Sequence, residues 1–152
     1  MVKRLLLAMS LFVIPLMAGG CSGAESVTVP VEVRNADDIG AIAFELVYNS
    51  ALLKVDGVDN VGFSKGADAQ YSAATPGRLV VVVQHAPAMN GDGTLVEVHF
   101  DILEHSGESS LTLENVQARN RSTLEYIATQ TEPGNIQVED GAYVSPQIIF
   151  AQ

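Results

Sequence analysis

The sequence is short of most of what reactive and cofactor-bearing proteins rely on. It holds one cysteine and no tryptophan in 152 residues. A single thiol excludes an intramolecular disulfide framework and every multi-cysteine zinc or iron–sulfur site. Four Tyr and five Phe leave few aromatic platforms. Basic residues are scarce too: 8 Lys and Arg stand against 18 Asp and Glu, a net charge of −10. Holding a phosphate backbone needs a basic face, so nucleic acid is excluded as a partner. The 13 Gly follow no triplet period, which excludes collagen, and a hydrophobic content of 47% excludes a disordered acidic tail. The length leaves room for one globular domain and little more.

At the N-terminus, Lys3 and Arg4 precede an apolar stretch over residues 5–17, interrupted by Ser10 and Pro15. About 13 residues are too few to cross a hydrocarbon core of ~30 Å as a helix. This is the layout of a secretory signal peptide over residues 1–20. Ala18, Gly19 and Gly20 then lead into Cys21. Small residues before the sole cysteine resemble the bacterial lipoprotein signal, in which the thiol receives a diacylglycerol and becomes the mature N-terminus. That pattern has Leu three residues before the cysteine, where this chain has Ala18. The resemblance implies lipid attachment at Cys21, a short tether over residues 21–26, export across the cytoplasmic membrane and a lipid-anchored place in the cell envelope. The alternative is ordinary secretion, with cleavage near Ala18 or Gly20 and a free thiol on an extracellular product. Without Lys3 and Arg4 the mature chain keeps 6 basic residues against 18 acidic, a net charge of −12. An anionic lipid surface repels such a chain, so membrane attachment falls to the lipid alone.

From Val27 onward the apolar period is two, the mark of half-buried strands. Val27, Val29, Val31 and Val33 alternate with polar residues, and Pro30 places that strand at an edge or limits its pairing. Residues 35–40 read as a turn. Ile42, Phe44, Leu46 and Tyr48 alternate with Ala41, Ala43, Glu45 and Val47. Residues 52–58 read as a strand broken at Asp56 and Gly57, and Asn49 or Ser50 caps a single helical turn before it. Residues 64–77 are polar and end in a Thr75, Pro76, Gly77 turn. Residues 79–83 are apolar on both faces, and the NGDG run at 90–93 is a strong turn signal. Val96, Val98, Phe100 and Ile102 alternate again. Leu111 and Leu113 open a further strand, with the last two at residues 124–128 and 136–138. No window of about 12 residues carries a helical stripe. Strands at this spacing predict an all-β fold, an eight- to nine-stranded β-sandwich with jelly-roll topology over residues 27–140. Residues 141–152 form a C-terminal tail that is either a last strand or a loose end.

Catalytic patterns are sparse. His85, His99 and His105 belong to no metal-ligand spacing. Glu97, His99 and Asp101 share one strand face and read as a solvated surface. The serines lack a nucleophile elbow. Asp37, Asp38, Asn90 and Asp92 carry metal-friendly oxygens, but turn chemistry accounts for them without a calcium loop. The reading is not an enzyme and has no cofactor.

The ordered strands resemble the cohesin domains of cellulosomes and their non-cellulosomal relatives. The matching stretches are VTVPV at 27–31, GAIAFELVYN at 40–49, ALLKV at 51–55, GRLVV at 77–81, GDGTL at 91–95 and VHFDI at 98–102. The most informative are LVYNSALL at 46–53 and GDGTL. The resemblance covers roughly residues 25–140, and related folds include carbohydrate-binding modules. It implies a module that holds a dockerin-bearing partner protein on one sheet face, with any calcium belonging to the dockerin. Cellulosomal cohesins place polar contact residues where this chain has Ala41 and Ala43. The candidate face is therefore Ala43, Glu45 and Val47, with Val82 and Gln84 as neighbours and Tyr71 from the preceding polar segment. The alternative is a carbohydrate-binding or structural cell-envelope domain with a polysaccharide ligand, which the shortage of aromatic rings disfavours.

Overall fold

The computed structural model describes residues 25–139 and 142–150. The signal segment, Cys21 and the start of the tether lie outside the described residues. Among the described residues there are eleven strands: β1 (Ser26–Val47), β2 (Leu53–Asn60), β3 (Asp68–Thr75), β4 (Arg78–Gln84), β5 (Met89–Ile102), β6 (Glu108–Asn120), β7 (Tyr126–Ile127), β8 (Thr129–Glu132), β9 (Gly134–Gln137), β10 (Ala142–Val144) and β11 (Gln147–Phe150). The only helical element among the described residues is a short 3-10 turn, Gly62–Ser64. The fold is all-β, as the alternation predicts, with more and shorter strands in its last third than the eight or nine expected.

Strand β1 belongs to both layers of the sandwich. Its first half pairs with β5 and, in parallel, with β11; its second half pairs with β4 and β6. The first layer is completed by β2 on β5 and β8 on β11. In the second, β3 lies on β4, while β7 and β9 lie on β6 and β10 on β9. The segment over residues 35–40, expected to be a turn, is continuous strand carrying two register shifts against β5. Buried positions therefore step by two (Val29, Val31, Val33), then by three (Ala36, Ile39, Ile42), then by two again (Phe44, Leu46). Each added residue bends and twists the strand, and together they swing β1 from one layer to the other.

The NGDG run explains how those bulges are held. It is no turn: residues 90–93 lie within β5, opposite the bulged part of β1. Asn35 and Asp38 have left-handed backbones, with φ of 56° and 50°. The Asn35 N–H donates to Asp92 Oδ1 at 2.8 Å and the Asp38 N–H to Asn90 Oδ1 at 2.9 Å. Side chains thus supply acceptors that a regular ladder would have supplied. Gly93 admits the Phe63 ring at this level, since a Cβ there would lie 2.9 Å from Phe63 Cε2.

Of the remaining expectations, one changes on folding. The polar stretch after residue 64 contains edge strand β3, and its Ala69 and Ala73 pack against the core. Pro30 limits pairing as its missing N–H requires: it pairs with Glu97 of β5 on one side, while the β11 pairing begins only at Glu32. Its nitrogen faces the β11 side, two residues before the Glu32 N–H finds Pro146 O at 3.0 Å, so no ladder bond is lost. Of the two outcomes left open for the tail, a last strand forms: it supplies β11, whose Ile148 and Phe150 are buried. The turn after β1 forms as its sequence predicts: Asn49 Oδ1 accepts the Ala51 N–H at 3.0 Å, and Asn49 O accepts from Leu53 at 2.9 Å. Tyr48 buries its ring edge-on to Phe100, with centroids 5.2 Å apart.

Candidate functional site

The outer surface of the second layer is set by the register of β4, β1 and β6. Phe44 and Leu46 point into the core, so Ala41, Ala43, Glu45 and Val47 point out. Ala43 stands between Val82 of β4 and Gln117 of β6, and Ala41 stands opposite Arg119. Three side chains short of a wall make a floor there, and around it lies an open groove of about 790 Å³. One margin is Gln84 and His85 at the end of β4; the other is Arg119, Arg121, Leu124 and Tyr126.

The second margin is built rather than loose. Asn120 Oδ1 accepts the N–H groups of Ser122 and Thr123, each at 2.9 Å. The Asn120 N–H donates to Glu125 O, and the Arg121 N–H donates to Asp38 O at 2.6 Å. The Asp38 carboxylate also takes the Ser122 hydroxyl and N–H. The β1 bulge and the loop after β6 are therefore one hydrogen-bonded unit. On it, Leu124 holds a left-handed backbone with φ of 61° and is 68% exposed. Tyr126 is 63% exposed, with the Arg119 guanidinium 4.3 Å above its ring. Gly40 is required beneath them: a Cβ there would lie 2.9 Å from Arg121 Cβ.

The other half of the same face is closed by charge. Arg78 pairs with Glu45 and, at 3.3 Å, with Glu114. The hydrogen bond that Arg78 donates to Glu45 raises the Arg78 pKa above its ordinary value, so the guanidinium stays charged. Val47 lies at this end, opposite Arg78 and Thr112.

Of the residues expected on the face, Ala43, Val82 and Gln84 line the groove, while Glu45 and Val47 share the surface beyond it. Tyr71 does not join them. It stands opposite Val81, whose side chain is in the core, so it points to the inner side of edge strand β3 and is 50% exposed there. Counting strand positions through a polar stretch with no visible alternation could not give that parity. Gln117, Arg119, Leu124 and Tyr126 went unnoticed in the sequence because β6, β7 and the loop between them bring these residues in from more than seventy positions away. An exposed tyrosine and leucine in a short polar loop were the available signal.

The polar residues of the opposite layer are occupied with one another. His99 Nδ1 lies 2.8 Å from Thr28 Oγ1, and its Nε2 lies 2.9 Å from Asp59 Oδ2. His85 contacts Asp68 at 2.9 Å. Among the described residues, no group of three or more His, Cys, Asp or Glu is placed to hold a metal ion.

Comparison with known proteins converges on one fold. The profile of the cohesin domain matches residues 20–138. A non-cellulosomal cohesin from the hyperthermophilic archaeon Archaeoglobus fulgidus superposes with a TM-score of 0.57 at 22% identity, over 85% of this chain and 83% of that one. The sixth cohesin from scaffoldin B of Acetivibrio cellulolyticus, solved in complex with a Cel5 dockerin mutant, gives 0.60 at 16% identity, over 85% and 90%. A cohesin of Clostridium acetobutylicum gives 0.57 at 18% identity, over 84% and 83%. No curated protein matches the chain.

Proposed function

The chain belongs to the cohesin domain family, and from that premise we propose that it is a non-catalytic module that docks a dockerin-type partner in the groove over Ala41 and Ala43. The observation that carries this reading is the small-residue floor beside a built apolar margin. A helix laid on alanines comes close to the sheet backbone, and Leu124 and Tyr126 then close over its flank. Leu124 combines backbone strain with exposure, and strain of that kind gathers at sites that bind. The usual polar contacts are absent at Ala41 and Ala43, so affinity here rests on apolar burial and on the groove margins.

A polysaccharide ligand is disfavoured by a specific contact. Sugars stack on open aromatic faces, and Arg119 already covers one face of Tyr126, the one Phe, Tyr or Trp among the groove's described lining residues.

The proposal includes a lipid at Cys21 and display from the cell envelope. Ser26 lies at the end of the sandwich beside Asp101 and Lys54, whereas the groove opens at the bulge end of β1. About nine residues of strand separate them, roughly 30 Å at 3.3 Å per residue. An anchor preceding Ser26 thus leaves the groove at the far end. Mass spectrometry of the membrane fraction tests the anchor, with a diacylglyceryl peptide beginning at Cys21 as the expected product; an unmodified thiol on a soluble form refutes it. For docking, the test is calorimetric titration with a panel of dockerin domains, using wild type and Ala43→Trp. Binding to at least one dockerin is expected, with loss in Ala43→Trp at unchanged thermal stability. Binding unaffected by a filled floor would remove the groove from the account.

A further inference from the structure

The groove is unlike the rest of the molecule in charge. The chain carries 18 acidic residues, yet no Asp or Glu lines this cavity, while Arg119, Arg121 and His85 do. Arg78, on the same face, shows what the chain does elsewhere with a cation: two glutamates hold it. Neither Arg119 nor Arg121 has a carboxylate partner among the described residues. The acids near the margins stand outside the lining: Asp68 contacts His85, Asp38 accepts from Ser122, and Glu125 lies between Leu124 and Tyr126 without lining the groove. More distant acids count for little, because the screening length at physiological salt is about 8 Å.

Both arginines are also placed. Arg119 rests on the Tyr126 ring and donates to its hydroxyl, which orients the guanidinium while leaving other N–H donors unused. Arg121 is carried on the loop fixed by Asp38, with its Cα and Cβ against Gly40. The Arg119 guanidinium fork, held in this way, fits a carboxylate in two-point contact with less rotamer entropy lost on binding, while Arg121 adds a second cation from a fixed backbone. Resting on the docking role proposed above, we infer that the helix seated in this groove is acidic: it lays an apolar stripe along Ala41, Ala43 and Val82 and presents carboxylates to Arg119 and Arg121. The partner class is a dockerin-type protein with Asp or Glu beside its contact stripe. A partner with Lys or Arg there meets like charge on the groove lining.

The test is a display library of dockerin domains with the exposed helix positions randomised, selected against the full chain held in detergent. Enrichment of Asp and Glu is expected. The selected clones should lose at least ~10-fold in affinity for the Arg119→Glu, Arg121→Glu double variant, and Lys-bearing counterparts should gain on it. Both positions are exposed, and a thermal melt checks the fold; Arg→Gln at both sites replaces the reversal if that variant does not fold. Enrichment of Lys, Arg or neutral residues, or clones indifferent to the double variant, overturns the inference and leaves the docking role standing. If no dockerin is recovered, two synthetic amphipathic helices, alike except for Glu or Lys beside the apolar stripe, are titrated by NMR. Shifts at Ala41, Ala43 and Arg119 with the Glu helix alone uphold an acidic ligand and refute the dockerin reading. Equal shifts with the Lys helix, or none with either, overturn the inference.

Discussion

The two halves of β1 make unlike outer surfaces from one alternation. Along the first half, Thr28 and Glu32 face out and bond across the sheet, Thr28 to His99 and Glu32 to Thr94. His99 passes the contact on to Asp59. Along the second half, Ala41 and Ala43 face out and can bond to nothing, and only at Glu45 does pairing resume, with Arg78. Polar side chains that satisfy one another close a sheet surface. Alanines leave the surface low and apolar, and what gathers at its margins is then free to meet a partner. The same strand thus builds an occupied face and an available one, and the difference lies in a few side chains rather than in the fold.

The largest expected effect comes from removing the strand that pairs with the first half and not with the second. Ending the chain after Pro146 deletes β11 and exposes the sites of two buried side chains, Ile148 and Phe150. At roughly 1.5–3 kcal/mol for each, the loss is about 3–6 kcal/mol. That is a large share of the stability of a typical domain. Urea denaturation of the shortened and full chains measures it, and equal midpoints would show that the first half stands without β11.

In the second half, Phe44→Ala removes a fully buried ring beneath the groove floor. The expected destabilisation is about 3–5 kcal/mol, read by the same denaturation experiment. A smaller loss would mean that the core under the groove repacks where the other half does not.

Next in size is the link between the halves. Asp38→Ala removes the acceptor for the Ser122 hydroxyl and N–H. The expected cost in global stability is about 0.5–1.5 kcal/mol. Hydrogen exchange over residues 121–125 should rise far more than elsewhere. Uniform exchange across the domain would show that the groove margin does not depend on the β1 bulge.

The smallest stability effect belongs to Val47→Lys, at the ion-paired end of the available face. Stability should stay within ~0.5 kcal/mol of wild type. Partner affinity should fall less than in Ala43→Trp, because Val47 lies outside the groove. A larger fall by calorimetric titration would extend the contact over the whole face.

Much of this was legible in the residues. The alternation of Val29, Val31 and Val33, and of Ile42, Phe44 and Leu46, assigns inner and outer positions on both halves of β1, and the structure keeps every one. Asn49 announces its turn because the cap bonds within four residues. By contrast, Asn35, Asp38, Asn90 and Asp92 have the chemistry of turns and serve a bulge instead. Their left-handed backbones and short acceptors suit either use, and the choice depends on partners more than fifty positions away. Val80 and Val82 face outward between Leu79, Val81 and Val83, a parity that an unbroken apolar run cannot display.

By itself, then, the sequence determined an all-β sandwich, the inward faces of its clearest strands and three of the residues in the groove, since period-two burial is a local property. Only the tertiary structure decided that β1 crosses between layers, that Tyr71 turns inward, and that Arg119, Arg121 and Tyr126 stand beside two alanines of a distant strand. Those outcomes depend on register between segments far apart in the chain, and register is settled by which hydrogen bonds and buried side chains can be satisfied at once.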